Sequence, residues 1–462
     1  MTVVTRRLML GAAAAIPAAM VAARAAADPG SGPDSGGTGA PAPAAPAPAA
    51  GRWAAERAAE WRKQAGWMVG CNYINANAGN QFEMFQAQTF DTARINTELG
   101  WARGVGMNVV RVFLQDQLWT ADPAGFTQRL DTFLTMANAN GIRVMFVLFD
   151  SCWDPNPKPG VQREPKPGVH NSTWVQSPGA AVLSSPDTSK LQAYATGVVK
   201  AFANDPRVVA WDVWNEPENL ADSYPLAPPD KVAKVARLLP KAFEWARAGG
   251  PTQPLTSGVW ADTRPEIRAI QLEQSDVISF HSYDPPEKFR SMAADLAEQG
   301  RPLLLTEYMA RPQGSTIETI LPICKELGID AMQWGFVAGR SQTYYPWDSW
   351  KQPYVGARQP QQWFHDLLWP DGRPYRDAEV ATMRTLTGRP QAAPAPAQAA
   401  QPAPSPAQPA PGQAAAQPVP AQAQAAPAQA QAAAPGLPAQ GSPLPAQGSP
   451  LPAQGSPVPG AQ

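Results

Sequence analysis

Between Gly51 and Arg389 the chain alternates short β-branched or aromatic runs with longer amphipathic stretches, and it does so eight times. The strand-like runs begin at Trp67, Met107, Arg143, Val208, Pro254, Val277, Pro302 and Ala331. Each is followed by a segment with helical spacing of apolar residues, and most of these segments close on glycine, which accepts the left-handed backbone of a helix end. Because a helix between two strands returns the chain to the same sheet edge, the strands must run parallel. Eight such units in about 300 residues predict a closed (β/α)8 barrel, the TIM barrel. An open doubly wound sheet is the alternative. It would usually carry a Gly-rich phosphate turn after an early strand, and the sequence has none.

The flanks have a different composition. The first 27 residues hold Arg6 and Arg7, a weakly apolar Ala-rich stretch broken by Gly11 and Pro17, and small residues at Ala25 and Ala27. That pattern predicts a twin-arginine-type signal peptide cleaved after Ala27, with delivery to the periplasm or the extracellular space. The apolar stretch falls short of the roughly 20 residues a bilayer span requires, so no membrane association of the mature chain is expected. Residues 28–50 are rich in Gly, Pro and Ala, and residues 390–462 contain no Asp, Glu, Lys or Arg and end in LPAQGSP repeats starting at Leu437, Leu444 and Leu451. Neither segment can bury a core; both are expected to be disordered, the tail as an extended polyproline-like spacer. The domain expected to carry function is therefore 51–389.

A formal charge of −1 gives no electrostatic reason for nucleic acid as a partner and favours a neutral ligand. The three cysteines, Cys71, Cys152 and Cys324, are widely spaced and lack a nearby histidine at ligand spacing, so free thiols, no metal site and no cofactor are expected. A monomer is expected.

In a parallel barrel the chemistry collects at the C-terminal ends of the strands. The stretch VVAWDVWNEPENL passes there from a buried run to a carboxylate, Glu216, followed by a proline that cannot continue a ladder. The other predicted strand ends add Arg111 (second run), Asn215 (fourth), His281 and Tyr283 (sixth), Glu307 (seventh) and Trp334 (eighth). Two carboxylates converging on one rim are the equipment for breaking a glycosidic bond, provided that their pKa values differ. Arg111 and Tyr283 are placed to stabilise Glu307 as a carboxylate, whereas Glu216, beside Trp214 and Pro217, should hold a proton more readily. A salt bridge from Arg111 to Asp212 inside the barrel is the competing reading for that arginine.

The segments WDVWNEPE, ISFHSYDP and LLLTEYMA resemble the signatures of strands four, six and seven in glycoside hydrolase clan A, with family 5, the cellulase family, closest in style. The similarity extends over 51–389, including SQTYYPWDSWKQPYVG and WFHDLLWPDGRPY, which resemble bacterial proteins described as cellulase-like or 1,4-β-xylanase-like. The resemblance implies a retaining β-glycosidase acting by double displacement on a β-linked polysaccharide or oligosaccharide. It implies Glu216 as general acid/base, Glu307 as nucleophile, Asn215 as donor to the sugar 2-hydroxyl, Arg111, His281 and Tyr283 as the residues that hold Glu307, and Trp334 as the floor of the central subsite. One departure is visible: many family members carry a histidine near the end of strand three, where this chain has Asp150, Cys152 and Trp153.

The aromatic loops after the third and eighth strands supply further candidates. Sugars present apolar C–H faces that stack on aromatic planes, so Trp153 and Trp347 are assigned to substrate binding, with Trp174, Trp260, Tyr344, Tyr345 and Trp350 divided between subsites and packing. Trp363 and Trp369 read as core, His170 and His365 as ordinary loop residues, and the Pro/Gly-rich run from Pro155 to Gly168 as a solvated rim loop. A catalytically silent glycan-binding barrel and a transglycosylase are the alternative functions.

Overall fold

The computed structural model describes residues 51–220, 228–260 and 264–389. The expected signal peptide, the spacer and the repeat-bearing tail lie outside the described residues. The strands are β1 (Val69–Asn72), β2 (Val109–Phe113), β3 (Arg143–Asp150), β4 (Val208–Asn215), β5 (Leu255–Thr256), β6 (Ile278–His281), β7 (Leu303–Glu307) and β8 (Asp330–Trp334). The helices are α1 (Ala55–Ala65), α2 (Gln81–Phe85), α3 (Thr92–Val105), α4 (Asp116–Ala121), α5 (Pro123–Ala139), α6 (Ala180–Leu183), α7 (Ser189–Ala201), α8 (Lys231–Ala248), α9 (Pro265–Gln274), α10 (Pro286–Ala297), α11 (Ile317–Leu327) and α12 (Asp377–Thr387). The described strands form one parallel sheet in the order β5-β4-β3-β2-β1-β8-β7-β6. The ring is completed by a parallel bridge between Val259 and Phe280, with Val259 N donating to Ser279 O at 2.9 Å and His281 N to Val259 O at 3.0 Å. The chain is a (β/α)8 barrel.

The expected eight strands and their following helices are all present. The fifth strand is shorter than expected: only Leu255 and Thr256 pair with β4, and the rest of that run bends across to β6. Closing a barrel requires staggered strands, and this joint is where pairing passes from β4 to β6.

Alternation along the strands sorts the barrel interior into layers. Val109, Met145, Ala210, Leu304 and Met332 form an apolar floor, sealed from below by Trp53 and Ala58 at the chain's entry into the barrel. Gly70 pairs with Val109 at this level, and a side chain there would come within 1.8 Å of the Val109 carbonyl oxygen. Above the floor the same faces carry Arg111 on β2 and Asp212 on β4, both fully buried. A larger apolar layer, including Leu99, Phe133, Tyr194, Leu239, Phe289 and Leu321, packs the helices against the outside of the sheet. Among the described residues no helix is long and apolar enough to cross a membrane.

Candidate active site

Glu216 is the first residue after β4 and takes a left-handed backbone with φ 41°, a conformation uncommon for a non-glycine residue and concentrated at functional turns. It leaves the strand where the ladder stops, and its side chain turns into the mouth of the barrel. Glu307 ends β7 next to a register shift in the β6–β7 pairing, where His281 pairs with Glu307. The shift brings the last residues of the two strands level at the mouth.

Arg111 organises the layer beneath. Its guanidinium donates through Nε and Nη2 to Asp212 Oδ2 at 3.1 and 2.7 Å, through Nη2 to Asn215 Oδ1 at 2.6 Å, and through Nη1 to Asn72 Oδ1 at 2.7 Å and Glu307 Oε1 at 2.9 Å. Both readings of this arginine hold at once: it pairs with Asp212 inside the barrel and supports Glu307. A buried cation is tolerable only with this degree of compensation. Tyr283, two residues beyond β6, donates its hydroxyl to Glu307 Oε2 at 2.7 Å.

Glu216 has polar contacts rather than the apolar ones expected from Trp214 and Pro217. Asn219 Nδ2 donates to its Oε2 at 2.6 Å, Cys152 Sγ lies 3.3 Å from the same oxygen, and His281 Nδ1 lies 2.9 Å from Oε1. The Trp214 indole points away and donates to Ser151 Oγ at 2.9 Å. His281 also departs from expectation. Its hydrogen bond goes to Glu216, and its distance to Glu307 Oε2 is 3.4 Å, so one ring nitrogen lies between the two carboxyl groups. Its Nε2 is buried without a hydrogen-bond partner and close to Gly258. An N–H there would be an orphaned donor, so the proton belongs on Nδ1, facing the carboxylates.

Burial lowers the pKa of His281 to about 4 against the opposing pull of Glu307, and the ring is neutral at ordinary pH. Burial raises both glutamates. For Glu216 it is opposed by the hydrogen bonds from Asn219 and Cys152 and by the charges of Arg111 and Lys231; for Glu307 it is opposed by His281, Arg111 and Tyr283, with Glu216 pushing further up. Because Arg111 puts a full positive charge directly on a Glu307 oxygen, Glu307 is the better holder of negative charge.

The pair opens into a cavity of about 440 Å³. Asn215, Glu216, Tyr283, Glu307, Trp334, Trp153 and Trp347 line it, whereas Arg111 and His281 act from beneath. The amide of Asn215 is oriented by Arg111 on its oxygen and by Asp150 Oδ1, which accepts from its nitrogen at 2.9 Å. Of the aromatic loop residues, Trp174 and Trp260 also reach the cavity. Trp350 instead stacks behind Trp153 with centroids 5.2 Å apart, and Tyr344 packs at a tilt against Trp363. Trp363 is buried as expected, but Trp369 is 39% exposed, tilted against Trp363 at an interplanar angle of 56°. Cys71, Cys152 and Cys324 are free and buried.

Several residues here escaped sequence reasoning. His170 and His365 are buried cavity residues rather than ordinary loop positions. Each ring is anchored through Nδ1 to a backbone carbonyl, that of Tyr345 at 2.8 Å and that of Met309, which leaves Nε2 as the acceptor nitrogen. The run expected to be a solvated rim is partly tied down: Arg163 donates to Asp154 and to Ser172 O, and the Lys166 ammonium lies 5.1 Å from the Trp350 ring centroid. Nothing in the local sequence signals these placements, which depend on where long loops land. One oxygen each of Glu216 and Glu307 and a His281 nitrogen lie within 4.8 Å of one another, close enough to ligate a cation together. His281, Tyr283 and Arg111 already satisfy those oxygens with hydrogen bonds.

Two carboxyl groups with different partners, set in an aromatic cavity at the C-terminal mouth of a parallel barrel, define a glycosidase. The chain belongs to glycosyl hydrolase family 5: the family model described as Cellulase (glycosyl hydrolase family 5) matches residues 75–351. No curated protein matches the sequence. Among solved structures, the GH5_18 protein from Streptomyces cattleya in complex with GlcNAc is similar at 15% identity and TM-score 0.48, over 72% of this chain and 82% of that one. An exo-β-1,4-mannosidase from an Opitutaceae bacterium is 20% identical with TM-score 0.47, over 70% of this chain and 60% of that one. An endo-β-1,4-mannanase from Thermotoga petrophila is 14% identical with TM-score 0.43, over 70% and 76%.

Proposed function

We propose that this glycosidase is an exported retaining enzyme that cleaves O-glycosidic bonds of a β-linked polysaccharide or oligosaccharide by double displacement. In the first step Glu307 attacks the anomeric carbon while the bond to the leaving oxygen breaks and Glu216 gives that oxygen its proton. In the second, the Glu216 carboxylate takes a proton from water as the water oxygen attacks the same carbon and Glu307 departs. Arg111 and Tyr283 hold the nucleophile ionised and aimed. Asn215, its amide turned by Arg111 and Asp150, is the donor to the 2-hydroxyl, and Trp334, Trp153 and Trp347 supply stacking faces. Export through a twin-arginine signal in residues 1–27, with 51–389 as the catalytic domain, belongs to the same proposal and is supported by the sequence alone.

The observation that carries the reading is the closeness of the pair. A Glu216 oxygen and a Glu307 oxygen within 4.8 Å suit the roughly 5 to 5.5 Å carboxyl separation of retaining enzymes better than the roughly 6.5 to 9.5 Å that admits a water in inverting ones. Proton NMR of the first product, taken before mutarotation, tests it. A β-anomer is expected, and an α-anomer from a β-linked substrate would remove Glu307 as nucleophile.

A further inference from the structure

The loops after β1, β3 and β8 are joined to one another over one side of the mouth. From the β3 loop, Asn171 N donates to Ser341 O at 2.8 Å and His170 N to Ser349 Oγ at 2.9 Å, both on the β8 loop. Gln342 of the β8 loop closes a reciprocal pair, accepting from Gly168 N at 3.0 Å and donating to Lys166 O at 3.0 Å. The β1 loop joins both neighbours. Arg340 N donates to Ala76 O at 3.0 Å, Asn80 Nδ2 to Thr173 O at 2.9 Å and Thr173 Oγ1 to Gly79 O at 2.8 Å. The β8 loop is held down from behind by Arg311, which donates to the carbonyls of His365 and Asp366 at 2.6 and 2.8 Å while bridging to Glu379 on α12. Two of these bonds join main chain to main chain and most of the others pair a side chain with a main-chain group of a different loop, so the three loops form one continuous wall, with Trp153 backed by Trp350 as part of it.

The wall has a consequence for chain length. It stands on the β8–β1–β2–β3 side, and its inner surface is Trp174, Trp334, His170 and Asn171. On the other side of the carboxylates, the β4 and β5 loops contribute Asn219, Leu220 and Trp260, the last two each 36% exposed. Glu216 leaves β4 on this exposed side, and the general acid must reach the leaving oxygen, so the aglycone departs past Leu220 and Trp260. The sugar attacked by Glu307 therefore lies against the wall, which among the described residues bounds that side of the cavity. A volume of about 440 Å³ falls at the lower end of the roughly 300–1,000 Å³ of small-ligand pockets. Such a site receives a chain end rather than the middle of a polymer.

We infer that the enzyme is exo-acting: it takes the non-reducing terminal sugar of a β-linked oligosaccharide into the walled pocket and releases it as a monosaccharide. The inference rests on the glycosidase reading above and adds the position of the cut. The test uses the full chain with β-linked tetrasaccharides of glucose, mannose and xylose tagged at the reducing end, alongside aryl β-monoglycosides of hexoses, pentoses and N-acetylhexosamines. The expected first products are a tagged trisaccharide and one untagged monosaccharide per cut, with the tag shortening one sugar at a time and at least one aryl monoglycoside turned over. A tagged mono- or disaccharide among the earliest products overturns exo-action and leaves the glycosidase reading intact. Turnover of no member of either set overturns both.

Discussion

Lys231 Nζ donates to the carbonyl oxygen of Asn219 at 2.5 Å, linking the first residue of α8 to the residue whose amide holds Glu216. The same ammonium donates to Ser151 O on the β3 loop, and Lys231 has no solvent exposure. A buried cation thus ties two catalytic-face loops together directly behind Glu216, and burial lowers its pKa to about 8.

Replacing Lys231 with Met leaves two loop carbonyls without their donor, at a cost of about 1–3 kcal/mol for each group left unsatisfied, so Tm falls. Activity carries a more specific signature. The charge of Lys231 favours ionised Glu216; without it the acid keeps its proton to higher pH, and the alkaline limb of the kcat/KM profile moves up. An unmoved alkaline limb in a folded Lys231→Met protein would exclude Lys231 from positioning the acid.

Tyr283→Phe removes one donor from Glu307 and leaves the ring and its edge-on contact with Trp347. A hydrogen bond to a charged group contributes about 1.5–3 kcal/mol, so kcat/KM should fall about 10- to 150-fold. With one stabiliser of the carboxylate gone, the Glu307 pKa rises and the acid limb of the profile shifts up. A loss of stability with the limb in place would indicate packing alone.

Glu307→Ala should abolish both steps. Glu216→Ala should lose about 10²–10⁴-fold on substrates with poor leaving groups, yet form the glycosyl-enzyme from activated aryl glycosides, and added azide should then release a glycosyl azide of retained configuration. Retained glycosyl azide from the Glu307 variant together with inverted glycosyl azide from the Glu216 variant would reverse the assignment, because azide that replaces a missing nucleophile attacks the substrate directly with a single inversion.

The grouping of Glu216, His281 and Glu307 raises the question of a cation. Arg111 on Glu307 and the proton on His281 Nδ1 both oppose one, and full activity is expected after exhaustive chelation and dialysis. Activity that disappears and returns only with an added divalent ion would sink the direct-carboxylate mechanism.

The barrel was legible in the sequence because its causes are local. Continuous apolar runs such as RVMFVLFD bury both faces of a strand, amphipathic stretches closing on glycine supply the crossovers, and both signals act within about ten residues. The same locality placed Glu216 at a strand end, since a carboxylate followed by proline cannot continue a buried ladder, and Glu307 where the apolar run LLLT gives way to a charge. Partner choice was less legible. That His281 bonds to Glu216 rather than to Glu307 follows from the register shift between β6 and β7, and the pattern of either strand alone contains no information about it. The fifth strand read longer than it is, because Val259 meets its barrel neighbour β6 only once the ring closes.

The sequence by itself thus determined the (β/α)8 architecture and the two carboxylates at its mouth, through alternation, capping and strand termination, all set by neighbouring residues. Only the tertiary structure decided what surrounds them. His170 and His365 reach the cavity on loops separated by nearly 200 positions, Lys231 reaches Glu216 through Asn219, and the β1, β3 and β8 loops fuse into a wall. Each of these depends largely on side chains bonding to backbone groups of another segment, and those partners meet only in the closed barrel.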